Sequence, residues 1–143
     1  MRLVYAVALG VLCAVLLAPT AVPAASKTLT ARSSSFGKVL FDGRGYVLYG
    51  FTRDKRKSAC YGACAKAWPA YFAPKGRLSA GPGLKRSLLG TVRRRSGKRQ
   101  VTYAGKPLYY YVGDIRPGQI LCQDVVEYGG RWLIVRPSGR YVR

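Results

Sequence analysis

The chain carries one short unit twice, and that duplication limits its fold more than any other feature. Residues 37–54 read GKVLFDGRGYVLYGFTRD and residues 97–114 read GKRQVTYAGKPLYYYVGD. At an offset of 60, six of these eighteen positions are identical: Gly37/Gly97, Lys38/Lys98, Gly45/Gly105, Leu48/Leu108, Tyr49/Tyr109 and Asp54/Asp114. Phe51 and Tyr111 match as aromatics. The shared positions are turn glycines and an apolar strand, the parts a duplicated unit has to keep. Two copies are too few for a solenoid. They predict two homologous β-hairpin repeats packed with pseudo-twofold symmetry, in a mainly β fold with one or two short helices (α+β).

Each copy reads as a hairpin. Val39 to Phe41 is a β-prone run, Asp42 to Gly45 is turn chemistry, and Tyr46 to Thr52 is a second strand. In the second copy Gln100 to Tyr103 leads through Ala104-Gly105-Lys106 into Leu108 to Val112, with Pro107 expected at a strand start or an edge. Side chains alternate along a strand, so Tyr49 and Phe51 share one face, Tyr109 and Tyr111 share another, and Leu48 and Leu108 point away. Both faces being apolar, these strands are expected at the centre of the sheet. Between the copies, Cys60, Cys64 and Trp68 recur at steps of four, which predicts a helix ended by Pro69. Residues 84–89 predict a short helical turn and Trp132 to Val135 a last buried strand.

Residues 3–18 are unbroken apolar sequence behind Met1-Arg2, followed by Pro19 and by Val22-Pro23-Ala24. That order predicts a secretory signal peptide over 1–24, cleaved after Ala24, and a secreted or envelope-associated protein. Sixteen apolar residues fall short of the roughly 20 that span a bilayer, so a retained anchor is the lesser reading. The remaining chain divides into a flexible N-terminal segment over 25–35, one duplicated domain over 36–139 and a tail over 140–143. Repeat 1 covers about 36–74 and repeat 2 about 88–137.

The whole sequence has 25 Lys+Arg against 5 Asp+Glu, a formal +20. Loss of Arg2 with the signal leaves +19. The cations are spread along the chain rather than gathered into one stripe, so specific nucleic-acid binding is not expected. Such a charge attracts any polyanion nearby, and outside a cell those are phospholipid headgroups and anionic wall polymers. Of four cysteines, Cys13 leaves with the signal, and Cys60, Cys64 and Cys122 remain. An odd number in an oxidising compartment implies one disulfide and one spare thiol. Cys60–Cys64 is the preferred pair, because residues four apart on a helix lie about 6 Å apart, within disulfide range. Cys122 is left free or stands as the alternative partner.

The linked motifs CYGACAKAWP at 60–69, SLLGT at 87–91, QVTYAGKPLYYY at 100–111, PGQ at 117–119 and GGRW at 129–132 accompany Tyr49-x-Phe51-x-x-Asp54 and Tyr109-x-Tyr111-x-x-Asp114. In these features the chain resembles the bacterial secreted repeats of unknown function, often described as lipoproteins with a Yx(F/W/Y)xxD motif. The resemblance spans roughly residues 36–139. It implies an envelope location and a β-rich fold, and brings no agreed substrate, cofactor or catalytic residue. There is no lipid-attachment cysteine, so the lipoprotein label does not carry over. Cys122 is additional to the common CxxxC pair.

The candidate ligand residues are Tyr49, Phe51, Asp54, Tyr109, Tyr111, Asp114 and Trp68. Two aromatics on one strand face with a carboxylate at the strand end suit a carbohydrate platform. The preferred reading is that the rings are core and each Asp bonds the backbone of the following turn. The chain contains no histidine, and its only methionine is Met1. Serine–histidine and cysteine–histidine catalysis, the common zinc sites and histidine- or methionine-ligated haem are therefore closed to it. No cofactor or metal is expected. The resulting expectation is a non-catalytic binding or structural module held on anionic envelope polymers or lipid headgroups by its charge. The alternatives are a redox or electron-transfer protein using the cysteines or a bound chromophore, and a glycan-active enzyme using Asp54 and Asp114.

Overall fold

The computed structural model describes residues 27–143, so the signal-peptide expectation lies outside the described residues. The first unit opens with β1 (Leu29–Ser34) and β2 (Gly37–Asp42), antiparallel from Leu29 opposite Asp42 to Ser34 opposite Gly37. The chain then turns over Asp42–Tyr46. Val47 bridges Phe41, and the Leu48 N–H donates to the Leu40 carbonyl at 3.1 Å before β3 (Tyr49–Phe51) begins. One short helix follows, α1 (Ala63–Ala67), and then a single 3₁₀ turn at Arg86–Leu88.

The second unit repeats the plan. β4 (Leu89–Arg93) pairs with β5 (Arg99–Tyr103), and β5 with the edge strand β6 (Lys106–Pro107). The Leu108 N–H donates to the Val101 carbonyl at 3.0 Å, as Leu48 does to Leu40. β7 (Val125–Glu127) and β8 (Gly130–Ile134) close the chain, with β8 paired between β3 and β7. The glycines shared by the copies sit at equivalent bends: Gly37 and Gly97 have φ of 81° and 82°, a left-handed conformation costly for any residue with a β carbon.

The fold is mainly β, with two repeat regions built of antiparallel strands. A strand precedes each expected hairpin, β1 before β2 and β4 before β5, and the first of these corrects the sequence reading at the N-terminus. Residues 29–34, expected in a flexible segment, form β1. Leu29 is fully buried, and its N–H donates to Ser79 at 3.1 Å. LTARSS holds a single large apolar residue, so side-chain pattern gave no sign of a strand whose order comes from backbone pairing. Residues 108–112, expected as a regular strand, pair only through isolated bonds: Leu108 to Val101, Tyr109 to Tyr49, Tyr110 N–H to the Pro69 carbonyl at 2.8 Å and Val112 N–H to the Ala67 carbonyl at 3.0 Å. Pro69 has no amide to return, and the ladder breaks there. α1 is also shorter than expected and leaves Cys60 outside it.

Strand alternation sorts the core into two layers. Tyr49, Phe51 and Tyr109 join Val39, Phe41, Trp68, Trp132 and Ile134 on one side of the central strands. Leu48 and Leu108 join Leu29, Leu40, Leu89, Val101, Tyr103 and Val135 on the other. Burying a large apolar side chain contributes about 1.5–3 kcal/mol. These two layers hold the repeats together.

Candidate functional site

The motif residues of both copies meet between the two repeats. Tyr49 and Tyr109, equivalent in the two repeats, hydrogen-bond to each other, each N–H donating to the other's carbonyl at 2.9 Å. Around them four rings form a stacked row. Phe51 lies on Trp132 at 4.1 Å, Trp132 on Trp68 at 4.0 Å, and Trp68 against Tyr111 at 4.8 Å. Tyr49 meets Trp68 edge-on at 5.2 Å, and Tyr109 meets Trp132 at 5.1 Å. Each motif therefore packs its tyrosine on its own repeat's tryptophan and its second aromatic on the other repeat's. Such pairs add about 0.5–1.5 kcal/mol each beyond area burial.

The motif aspartates complete the exchange. Asp114 Oδ1 accepts the Leu121 amide at 2.9 Å, closing the loop after the second motif, and its Oδ2 accepts the Tyr49 hydroxyl of the other repeat at 2.6 Å. Asp54 Oδ1 accepts the Ala59 amide at 2.7 Å in the same way. Its Oδ2 and the Tyr109 hydroxyl are both buried without a hydrogen-bond partner. The tryptophans diverge likewise. Trp68 Nε1 donates to Glu127 at 2.9 Å, while the buried Trp132 Nε1 has no partner.

These environments shift the ionisable groups. Burial pushes the Asp54 carboxyl up to about 6, against the opposing pull of the Ala59 amide, the facing Tyr109 hydroxyl and the Arg94 charge. Burial raises Asp114 as well. Tyr49 is driven far above its usual value by burial and by the Asp114 carboxylate it serves.

Of the residues singled out from sequence, Tyr49, Phe51, Tyr109 and Trp68 are at most 1% exposed, so none offers a ring face to solvent. Tyr111 is half-buried against Trp68. A glycan-cleaving pair requires two carboxyls facing an open cleft. Asp114 is buried and bonded to Tyr49 and Leu121, and Asp54 accepts the Ala59 amide of its own loop, so both carboxyls are engaged within the fold. Two further residues of this region carried no sequence signal. Gln100 is fully buried, with its Nε2 donating to the Leu108 carbonyl at 2.7 Å. Its Oε1 accepts Arg94 Nη1 at 2.8 Å and the Ser58 hydroxyl. Arg94 is itself buried, donating to the Cys60 carbonyl at 2.6 Å. A polar residue inside a β run is the one trace of such a role.

Cys60 and Cys64 form a disulfide with Cα atoms 5.3 Å apart. Cys122 is free and half-buried, and burial raises its thiol pKa, which disfavours the reactive thiolate. It is more than a supernumerary cysteine. Cys60 follows Ala59 and Cys122 follows Leu121, the two residues whose amides the motif aspartates accept. Cys122 is thus the second repeat's Cys60, with Val126 standing four residues on in place of Cys64.

Three of the surface hollows bear on binding. One is bordered by Lys106, Arg136, Arg140, Tyr141 and Arg143, with a volume of about 560 Å³. Arg143 also borders a second, with Thr52, Asp124, Arg131 and Leu133. The third lies over Asp42, Arg44, Tyr71, Phe72 and Tyr110. Asp42 is already saturated there: it accepts the Arg44 and Tyr46 amides at 2.9 Å, Arg44 Nε at 3.0 Å and the Tyr110 hydroxyl at 2.9 Å. Among the described residues no group of three or more His, Cys, Asp or Glu is placed to hold a metal, and no helix is long and apolar enough to cross a membrane.

The site so defined is the joint of an internally duplicated β-unit, each half completing the other. The chain belongs to the family described as secreted repeat of unknown function, whose model matches it twice, over residues 30–71 and 90–136. No curated protein and no solved structure matches it.

Proposed function

We propose that this protein is an exported, non-catalytic module held on anionic envelope polymers or lipid headgroups by its positive charge. The observation that carries the reading is where its few acids are spent. Asp42 is saturated by its own turn and by Tyr110, Asp54 and Asp114 fasten the motif loops, Asp124 pairs with Arg131 at 2.6 Å, and Glu127 holds Trp68. Among the described residues only Arg44 and Arg131 are ion-paired. The other cations are left without a carboxylate, as a surface that recruits polyanions requires. A family described as secreted supports the extracellular setting.

Co-sedimentation of the protein with phosphatidylglycerol vesicles and with cell-wall material, at rising salt, tests this. Binding is expected to be strong at low salt and lost at about 1 M, where the screening length is about 3 Å. Equal binding at low and molar salt would sink the electrostatic mechanism.

A further inference from the structure

The hollow bordered by Lys106, Arg136 and Arg140 differs from the rest of the basic surface because the fold builds it. Val135 bridges Tyr141 across a tight turn, in which the Arg136 N–H donates to the Arg140 carbonyl and the Gly139 N–H to the Arg136 carbonyl, both at 2.8 Å. Arg136 and Arg140 are thereby opposed on one short hairpin. Gly139, at φ +84°, seats that turn directly on Ala104, where a β carbon would collide with the Ala104 side chain. Ala104 opens the bend that ends at Lys106. Two turns, distant in sequence, thus bring three cations to one rim, with Arg143 beside them.

Two of the cations are also held in place. Arg136 Nη1 donates to the Phe36 carbonyl at 3.1 Å, which fixes the guanidinium and leaves its other donors unspent. The Lys106 ammonium stands 5.1 Å over the Tyr141 ring. None of the four is ion-paired among the described residues. Asp124, in the hollow that shares Arg143, is taken by Arg131. Two anchored cations beside two unpaired arginines favour a multivalent anion, and guanidinium forks match the oxygens of phosphate.

We propose that this hollow is a binding site for a phosphate group, supplied by an anionic phospholipid headgroup or by a soluble phosphate. The site rests on the retention reading above and gives it a location. At about 560 Å³ it exceeds one phosphate and accepts a diphosphate or a phosphodiester with its substituents.

The test compares the full chain with two double variants of equal charge, Arg136→Gln/Arg140→Gln and Lys55→Gln/Lys57→Gln, the second altering exposed lysines of the first motif loop. Calorimetric titration with inorganic pyrophosphate at low salt should show one saturable site. Losing two of its charge-assisted contacts should weaken the Arg136/Arg140 variant by about tenfold or more, and the lysine control by no more than about twofold. Lys106→Gln, whose ammonium makes no hydrogen bond within the chain, should weaken binding in the same direction and guards against misfolding of the arginine variant. Equal losses in the two double variants would overturn the site while leaving charge-based retention standing. Wild-type protein that binds neither pyrophosphate nor phosphatidylglycerol vesicles would overturn both. If the arginine variant also loses vesicle binding, the phosphate is a lipid headgroup's; if only pyrophosphate binding falls, it is a soluble one.

Discussion

The two repeats share one scaffold and differ in how they finish it. In the second, Asp114 closes its loop on Leu121 and meets Tyr49 at 2.6 Å. In the first, Asp54 closes its loop on Ala59, and then Asp54 Oδ2 and the Tyr109 hydroxyl are left buried and unbonded. The loops also carry opposite chemistry: Lys55-Arg56-Lys57 in the first, and Ile115 and Leu121, 71% and 58% exposed, in the second. Shape and ring packing are common to both copies because the interface between them is shared, so a change in either half disturbs both. Polar partners and loop tips face only one half and differ freely.

The sharpest way to break this comparison is at the stacked row. Trp68→Ala and Trp132→Ala should each cost about 3–5 kcal/mol in denaturant unfolding, because both rings pack on both repeats. A loss at one position several-fold smaller than at the other would show that the halves do not share the joint equally.

The tyrosines give the next largest contrast. Tyr49→Phe leaves Asp114 Oδ2 buried without its donor and should cost about 1–3 kcal/mol. Tyr109→Phe removes a hydroxyl that faces the Asp54 carboxyl without a hydrogen bond to it, and should cost less than Tyr49→Phe, under about 1 kcal/mol. Equal costs would mean that the two Tyr–Asp contacts are equivalent in solution.

The smallest effect is in pH. The folded chain holds the Asp54 proton up to about 6, against an ordinary value of 3.8. Between these values the native state binds more protons than the unfolded one, so stability falls as pH rises through that window. Melting temperatures should decline from about pH 4 to about pH 6, and Asp54→Asn should flatten the part due to this group. A rise over the same interval in wild-type protein would contradict a desolvated carboxyl at 54.

Much of this joint was legible in the sequence, because packing periodicity is written in residue type. The 60-residue offset located Tyr49 against Tyr109 and Asp54 against Asp114, and the alternation of Leu48 with Tyr49 placed two layers on a central sheet. The preference for rings in the core over rings as a ledge came from what aromatic and turn-forming positions of this kind normally hold. The partnership of Trp68 with Trp132 did not show, since it runs at an offset of 64. The Cys60–Cys122 equivalence runs at 62, and the two steps reflect loops lengthened in the second copy. Fixed-offset comparison is blind to such insertions, although tertiary structure absorbs them at loop tips.

Sequence by itself determined the duplication, the β character, the family and an excess of positive charge. These follow from composition and local order, which exist before any folding. Only the tertiary structure decided that each motif completes its partner's core, that β1 belongs to the first unit, and that Lys106, Arg136 and Arg140 border one hollow. Those facts depend on contacts between residues far apart in the chain, and the chain makes them only once both halves have closed on the same rings.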